Sequence, residues 1–185
     1  MPATAFVALL RGVNVGKAKR VPMAAFRDLL EELGYVDVAT LLNSGNAVFS
    51  ASGAEADHER RIATALESVV GVRAAVIVKT ARVLAAIVDE NPLRIDPADA
   101  SRCLVAFTRD QRTLAALAGA ERLVAPPERF AIGAHAAYLL CPGGLRECEA
   151  AKTLLGAAGG DVTTRNWATT CKLRALAERV DGGRA

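Results

Sequence analysis

The chain has 185 residues, 52% of them hydrophobic, and carries 23 Lys and Arg against 20 Asp and Glu for a formal net charge of +3. That composition excludes a disordered chain, and so small a charge does not by itself mark a nucleic-acid protein. With no apolar run long enough to cross a bilayer and no signal-peptide pattern, no membrane partner is expected, and the reading is a cytoplasmic protein with reduced thiols.

In chain order, Phe6 to Leu10 is a short apolar run ending at Arg11-Gly12 and predicts a buried strand. Pro22 suits the first turn of a helix, whose inward face is Phe26, Leu29, Leu30 and Leu33, and Gly34 is its stop. Val36 to Leu42 predicts a strand, Ser44-Gly45-Asn46 a turn, and Ala47 to Ser50 the hairpin partner. Ala54 to Val70 predicts a helix with Ile62, Leu66, Val69 and Val70 inward and His58, Glu59, Arg60 and Arg61 outward. Val72 to Lys79 predicts another strand. This is the β-α-β-β-α-β order of the ferredoxin-like plan.

Arg82 to Asp89 adds a helix, and Asn91-Pro92 through Asp96-Pro97 is rich in breakers. The second half begins the same plan: a strand at Cys103 to Thr108, a helix at Gln111 to Ala118, and a hairpin of Arg129 to Ile132 with Ala136 to Leu140 around Gly133. A helix at Leu145 to Leu155, a break at Gly156 to Gly159 and a closing helix at Asn166 to Val180 follow. The fold class expected is α+β, with two ferredoxin-like halves and a closing C-terminal helix. The first half covers residues 1–90, a connection 91–102, and the second half 103–185.

RGVNVGK after the first strand looks like a phosphate-binding loop, and fails as one. A P-loop needs G-x-x-x-x-G-K followed by Ser or Thr at the mouth of a helix. Here Gly12 and Gly16 enclose three residues, Ala18 follows Lys17, and the helix starts only at Pro22. Two readings stay open: an anion nest built on the two glycines, or a long turn that uses them for positive φ with its cations solvated. Charge placement adds to the first. No Asp or Glu precedes Asp28, while Arg11, Lys17, Lys19, Arg20 and Arg27 fall in that window. A second acid-free window, Val162 to Ala177, holds Arg165, Lys172 and Arg174.

Asn43-Ser44-Gly45-Asn46 is ordinary turn chemistry or part of a site. In VTTRNWATTCKLRALAERV, Thr163 or Thr164 suits the N-cap of the closing helix. Arg165 and Asn166 would then stand at a helix N-terminus that favours anions. The alternative is a capped surface helix anchored by Trp167. His58 and His135 read as solvated residues and Cys148 as a packed thiol. Cys103, Cys141, Cys148 and Cys171 form no C-x-x-C pair, and two histidines do not complete a zinc site, so neither a metal nor a cofactor is expected.

Three segments, ALLRGVNVGKAKRVPM, LLNSGNAVFS and TTRNWATTCKL, resemble the signatures of an uncharacterised bacterial domain-of-unknown-function family. Its members open with A-L-L-R-G-I-N-V-G-G, carry Q-S-G-N-V-V-F and end in T-R-N-W-N-T-V-x-K-L. The resemblance implies two α+β, ferredoxin-like halves and no established activity. The polar motif residues fall on Arg11, Asn14, Gly16, Ser44, Gly45, Asn46, Arg165, Asn166, Trp167, Thr170 and Lys172. Lys17 stands where the family has a second glycine, Ala168 where it has Asn, and Leu145-Arg146-Glu147-Cys148 where it has Gly-Arg-Ser-Lys.

The leading functional expectation is a cationic, amide-lined site for a phosphate-bearing partner, a nucleotide or nucleic acid such as RNA. Arg11, Lys17, Arg165 and Lys172 would pair charge, while Asn14, Gly16, Ser44, Gly45, Asn46, Asn166 and Thr170 would shape the site and orient the ligand. Aromatics at 4% argue against a base-stacking sheet. The alternatives are an enzyme acting on a small anionic substrate at the same cluster, with no nucleophile or general base identified, and motifs that only lock the halves together.

Overall fold

The computed structural model describes residues 3–15, 19–156 and 161–183. The chain divides into two compact units, Met1–Leu84 with Leu173–Ala185, and Ala85–Lys172. The first boundary falls within a helix at the end of the first half, the second within the closing helix. The last residues, assigned from sequence to the second half, thus group with the first unit.

In the first unit the elements run β1 (Thr4–Leu10), α1 (Met23–Glu32), β2 (Val36–Thr40), β3 (Asn46–Ala51), α2 (Glu55–Ala65) and β4 (Val76–Thr80), followed by α3 (Ala81–Asp89) across the boundary. The sheet order is β2-β3-β1-β4 and all its pairs are antiparallel, the ferredoxin-like arrangement. β1 is apolar throughout because it lies in the middle of the sheet, and its residues from Ala5 to Leu10 are buried. Phe6, Ala8 and Leu10 pack with Phe26, Leu30, Phe49, Ile62, Leu66 and Val78 in one core. Gly34, at φ 81°, ends α1 in the left-handed region.

The stretch read as one helix, Ala54 to Val70, departs from the sequence reading at three residues, two in α2 and one in the turn of helix that follows it. His58 and Glu59, expected in solvent, are 2% and 7% exposed, while Val69, expected inside, is 65% exposed. Amphipathic patterning sorts polar residues outward, but both have long-range partners, although His58 Nε2 is buried with no hydrogen-bond partner. Glu59 accepts the Val78 N–H at 2.9 Å and Glu55 the Thr80 N–H at 2.8 Å, while Lys79 pairs with Glu55 at 3.6 Å. β4 is an edge strand, and these carboxylates cover N–H groups that would otherwise invite another chain.

His58 bonds the Tyr35 hydroxyl through Nδ1 at 3.0 Å and meets the rings of Phe6, Tyr35 and Phe49 edge-on. Burial pulls its pKa below the ordinary 6.5, the Arg61 charge adds to this, and Asp57 opposes it. The imidazole is therefore held neutral in the fold, while the unfolded chain takes up a proton near 6.5. This contribution is fully present above that pH and is lost as the pH falls below it. Thermal melts of the native chain should accordingly fall from about pH 7 to about pH 5 more steeply than those of His58→Gln; parallel curves would show that His58 does not carry the dependence.

The second unit contains β5 (Cys103–Thr108), α4 (Gln111–Ala116), β6 (Arg129–Ile132), β7 (Ala136–Leu140), α5 (Glu149–Gly156) and β8 (Val162–Asn166), with α6 (Trp167–Gly182) running across the second boundary. Its order, β6-β7-β5-β8, is again antiparallel throughout and repeats the plan of the first. Leu104, Ala106, Leu139, Cys141, Cys148, Leu154 and Val162 share its core. Two expectations are corrected here. α5 starts at Glu149 rather than Leu145, and Thr163, Thr164, Arg165 and Asn166 lie on the strand β8, which pairs with β5 from Leu104↔Asn166 to Thr108↔Val162. The β-branched run Val-Thr-Thr was the signal for that strand; reading its threonines as helix caps hid it. The expected break at Gly156 to Gly159 falls mostly outside the described residues.

Candidate functional site

The loop after β1 is shaped by one side chain. Asn14 sits in the left-handed region, as do Gly12 and Lys19, at φ 57°, 64° and 54°, a conformation that Asn tolerates better than most residues. Its backbone N–H donates to Lys19 O at 3.0 Å. Its carboxamide then pairs with Val21 in both directions, Nδ2 donating to Val21 O and Oδ1 accepting from Val21 N, each at 2.9 Å. The remaining amide hydrogen reaches Asn43 O at 2.7 Å. A single Asn thus closes the loop upon itself and ties it to the β2–β3 connection.

That connection has its own clamp. Asn46 is fully buried and donates to Leu41 O at 2.9 Å and Ser44 Oγ at 2.8 Å. Gly45 stands at φ 76°, and its carbonyl accepts the Leu10 N–H at 2.8 Å. A Cβ there would lie 2.6 Å from Val13 Cγ2 and 2.7 Å from Leu10 Cβ. Only glycine lets the two loops approach this closely. The segments RGVN and NSGN therefore meet, and Arg11 enters the same region with its backbone N–H on Ala75 O at 2.9 Å. Gly16 and Lys17 lie outside the described residues.

Beside this junction is a cavity of about 350 Å³ lined by Asn14, Arg20, Val21, Pro22, Met23 and Asn43, a size that suits a small ligand. Arg20 is exposed and makes no ion pair with any described residue. The sequence reading counts Arg20 among the cations and names Asn43 in its turn without placing either in the ligand-binding set, and it assigns Met23 no role. The signal available was position: Arg-Val-Pro-Met leads straight into α1, so these residues had to line whatever the loop encloses.

The third segment belongs to the second unit. Arg165 lies on β8, 8% exposed, and its Nη1 donates to Thr163 Oγ1 at 3.1 Å and Thr164 O at 2.7 Å. Burial pulls the guanidinium down to about 10, and it stays charged at neutral pH. The N-cap of α6 is Asn166, whose Oδ1 accepts the Thr169 N–H at 2.8 Å. Thr170, fully buried, donates to Asn166 O at 3.0 Å. Trp167 is half-buried and Lys172 is exposed.

A polar cluster absent from the sequence reading also lies in this unit. Glu90 accepts from His135 N at 2.9 Å, Tyr138 Oη at 3.0 Å and His135 Nδ1 at 2.8 Å, and Tyr138 also donates to Ile87 O at 2.6 Å. His135, expected to be solvated in its turn, is held by this carboxylate. Burial alone would raise the Glu90 carboxyl; the hydrogen bonds from His135 and Tyr138 outweigh it and hold the group below its ordinary value.

The sequence profile of a family described as "Protein of unknown function (DUF1697)" matches residues 3–138, a span that includes the first two motif segments and ends before Arg165. The solved structure of the conserved bacterial protein SP0830 from Streptococcus pneumoniae superposes with a TM-score of 0.76 at 21% identity, covering 95% of this chain and 99% of that one. It supports the fold. The crystal structure of an unknown protein from Galdieria sulphuraria reaches a TM-score of only 0.26 at 13% identity, over 89% of this chain and 99% of that one, too low to bear on the fold. No curated protein matches the sequence.

Proposed function

We propose that this chain, which belongs to the DUF1697 family of proteins of unknown function, binds a phosphate-bearing ligand, a nucleotide or RNA, at the loop junction of its first unit. The observation that carries the reading is the cavity where the two loops meet, with Arg20 in its wall. The stretch up to Asp28 supplies cations and no carboxylate, so the field at this mouth favours an anion. Arg11, Lys17 and Arg20 supply the charge in this reading. Asn14, Ser44, Gly45 and Asn46 act through the backbone they hold, since the amides of Asn14 and Asn46 are engaged within the loops.

Calorimetric titration of the full chain with inorganic phosphate, ATP and a short single-stranded RNA at low salt tests the proposal. A charged hydrogen bond is worth about 1.5–3 kcal/mol, so Arg20→Ala should weaken binding by roughly tenfold or more. Unchanged affinity in Arg20→Ala, or no heat with any of the three, overturns the site. RNA binding would also fall steeply with added salt.

A structural role is favoured for the third segment by the hydrogen bonds of Arg165 and Asn166 within β8 and α6. In that case Arg165→Ala lowers the melting temperature and leaves ligand affinity as it was. If affinity falls with the fold intact, the purely structural reading of Arg165 is overturned.

A further inference from the structure

The second unit holds two buried sulfurs and a carboxylate aimed at one point. Cys141 follows β7, Glu128 precedes β6, and the pairing of Arg129 with Leu140 at the end of that hairpin places Glu128 and Cys141 at the next step of the ladder. Cys148 stands immediately before α5. Two features bring it there: the turn Cys141-Pro-Gly-Gly, closed by the Gly144 N–H on Cys141 O at 2.9 Å, and the packing of α5 on the same core. Cys141 and Cys148 are 1% and 0% exposed, while Glu128 is half-buried and opens the cluster to solvent. Their Sγ, Sγ and carboxylate oxygen atoms lie within 4.8 Å of one another.

We propose that Cys141, Cys148 and Glu128 form a binding site for a thiophilic divalent cation of the zinc class. A tetrahedral zinc with bonds of about 2.3 Å to sulfur and about 2.0 Å to a carboxylate oxygen spaces its ligand atoms roughly 3.3–3.8 Å apart. Three donors already within 4.8 Å close on one ion by small side-chain rotations. Two sulfurs with a single carboxylate select zinc-class ions over magnesium or calcium, which prefer oxygen alone.

Cys148 Sγ accepts the Ala151 N–H at 3.3 Å, which fixes the sulfur at the start of α5. On binding, each thiol releases one proton to solvent, two S–metal bonds and one O–metal bond form, and no electrons are transferred. A disulfide would use the same two sulfurs but leave the carboxylate without a role. C-x-x-C spacing is absent because the ligands come from a hairpin end and a helix start, so the cluster was invisible to motif reading.

The test uses the full chain, reduced with a phosphine, stripped of metal with a chelator and titrated with cobalt(II). One equivalent should produce the near-ultraviolet thiolate-to-cobalt charge-transfer band, zinc should abolish it, and zinc alone should raise the melting temperature. The band should persist in the double variant Cys103→Ser, Cys171→Ser and vanish in Cys148→Ser. Glu128→Gln, at the rim and outside the core, should weaken cobalt binding by at least tenfold, since outer-shell partners alone are worth about 10–100-fold. Absence of the band in the reduced native chain overturns the proposal. So does a band that survives loss of Cys141 and Cys148, or an unchanged cobalt affinity in Glu128→Gln. Circular dichroism separates a lost band from a lost fold.

Discussion

Gly45→Val is expected to lower the melting temperature by roughly 5–20 °C. Two costs add. The residue sits at φ 76°, where a side chain costs about 1–2 kcal/mol. Its Cβ would fall 2.6 Å from Val13 and 2.7 Å from Leu10, and neither neighbour can yield, since both are buried in the core beneath the loops. Forcing extra carbons into such a site costs about 1–3 kcal/mol more. In a chain of this length each kcal/mol moves the transition by about 2–4 °C. Gly12→Ala is the internal control: it lies in the same motif at φ 64°, but a Cβ there meets nothing within 4 Å. It should show the backbone cost alone. Equal losses in the two variants would mean that the loops do not depend on close approach at Gly45.

The contrast between those glycines shows what could be read from the sequence. Gly12 and Gly45 look alike as turn residues, and both do adopt positive φ. Only the second is wedged against another loop, a tertiary fact with no local signature. The same division runs through the fold. β1, β5, β7 and the hairpin at Gly133 were legible because buried strands are continuous apolar runs and hairpins are punctuated by turn residues. β8 was missed because Thr suits both a strand and a helix cap, while Asn points to the cap alone. In fact Asn166 does both, ending β8 and capping α6.

The candidate site divides in a similar way. Polar motif residues stand out in the sequence, but sequence alone does not say whether an Asn faces a ligand or its own loop. Asn14 and Asn46 spend their side-chain amides on backbone and hydroxyl oxygens of the loops. His58 and Glu59 were placed outside by a rule that holds for polar residues lacking long-range partners. Tyr35 and the β4 edge, which bring those partners, approach only once the sheet has formed.

The same kind of long-range partnering governs the second large effect. Glu90→Leu is expected to destabilise the second unit by about 1–3 kcal/mol, because it strips the acceptor from the part-buried His135 N–H, whose loss costs about 1–3 kcal/mol, while the half-exposed His135 Nδ1 can turn to water. Tyr138 is cushioned, since its hydroxyl keeps Ile87 O at 2.6 Å. Glu90→Gln should cost much less: its carbonyl oxygen still accepts from His135 N and Tyr138, and the imidazole can change tautomer to meet the amide. The packing leaves no room for a larger residue nearby, since a Cβ on Gly133 would collide with the Glu90 carboxylate.

Acid separates the two variants further. The folded Glu90 carboxyl is held below its ordinary value of 4.5, so the unfolded chain binds the proton more readily than the native state. The stabilisation from this group is present above about pH 4.5 and is lost as the pH falls through the folded value. Glu90→Gln has no proton to take up there. Melting curves of native and Gln chains should therefore differ most near neutrality and converge in acid, as judged by circular dichroism between about pH 7 and pH 3. A difference that stays constant across that range would mean the carboxylate charge contributes nothing beyond its shape. His135 and Tyr138 would then be held as well by any acceptor of the same size.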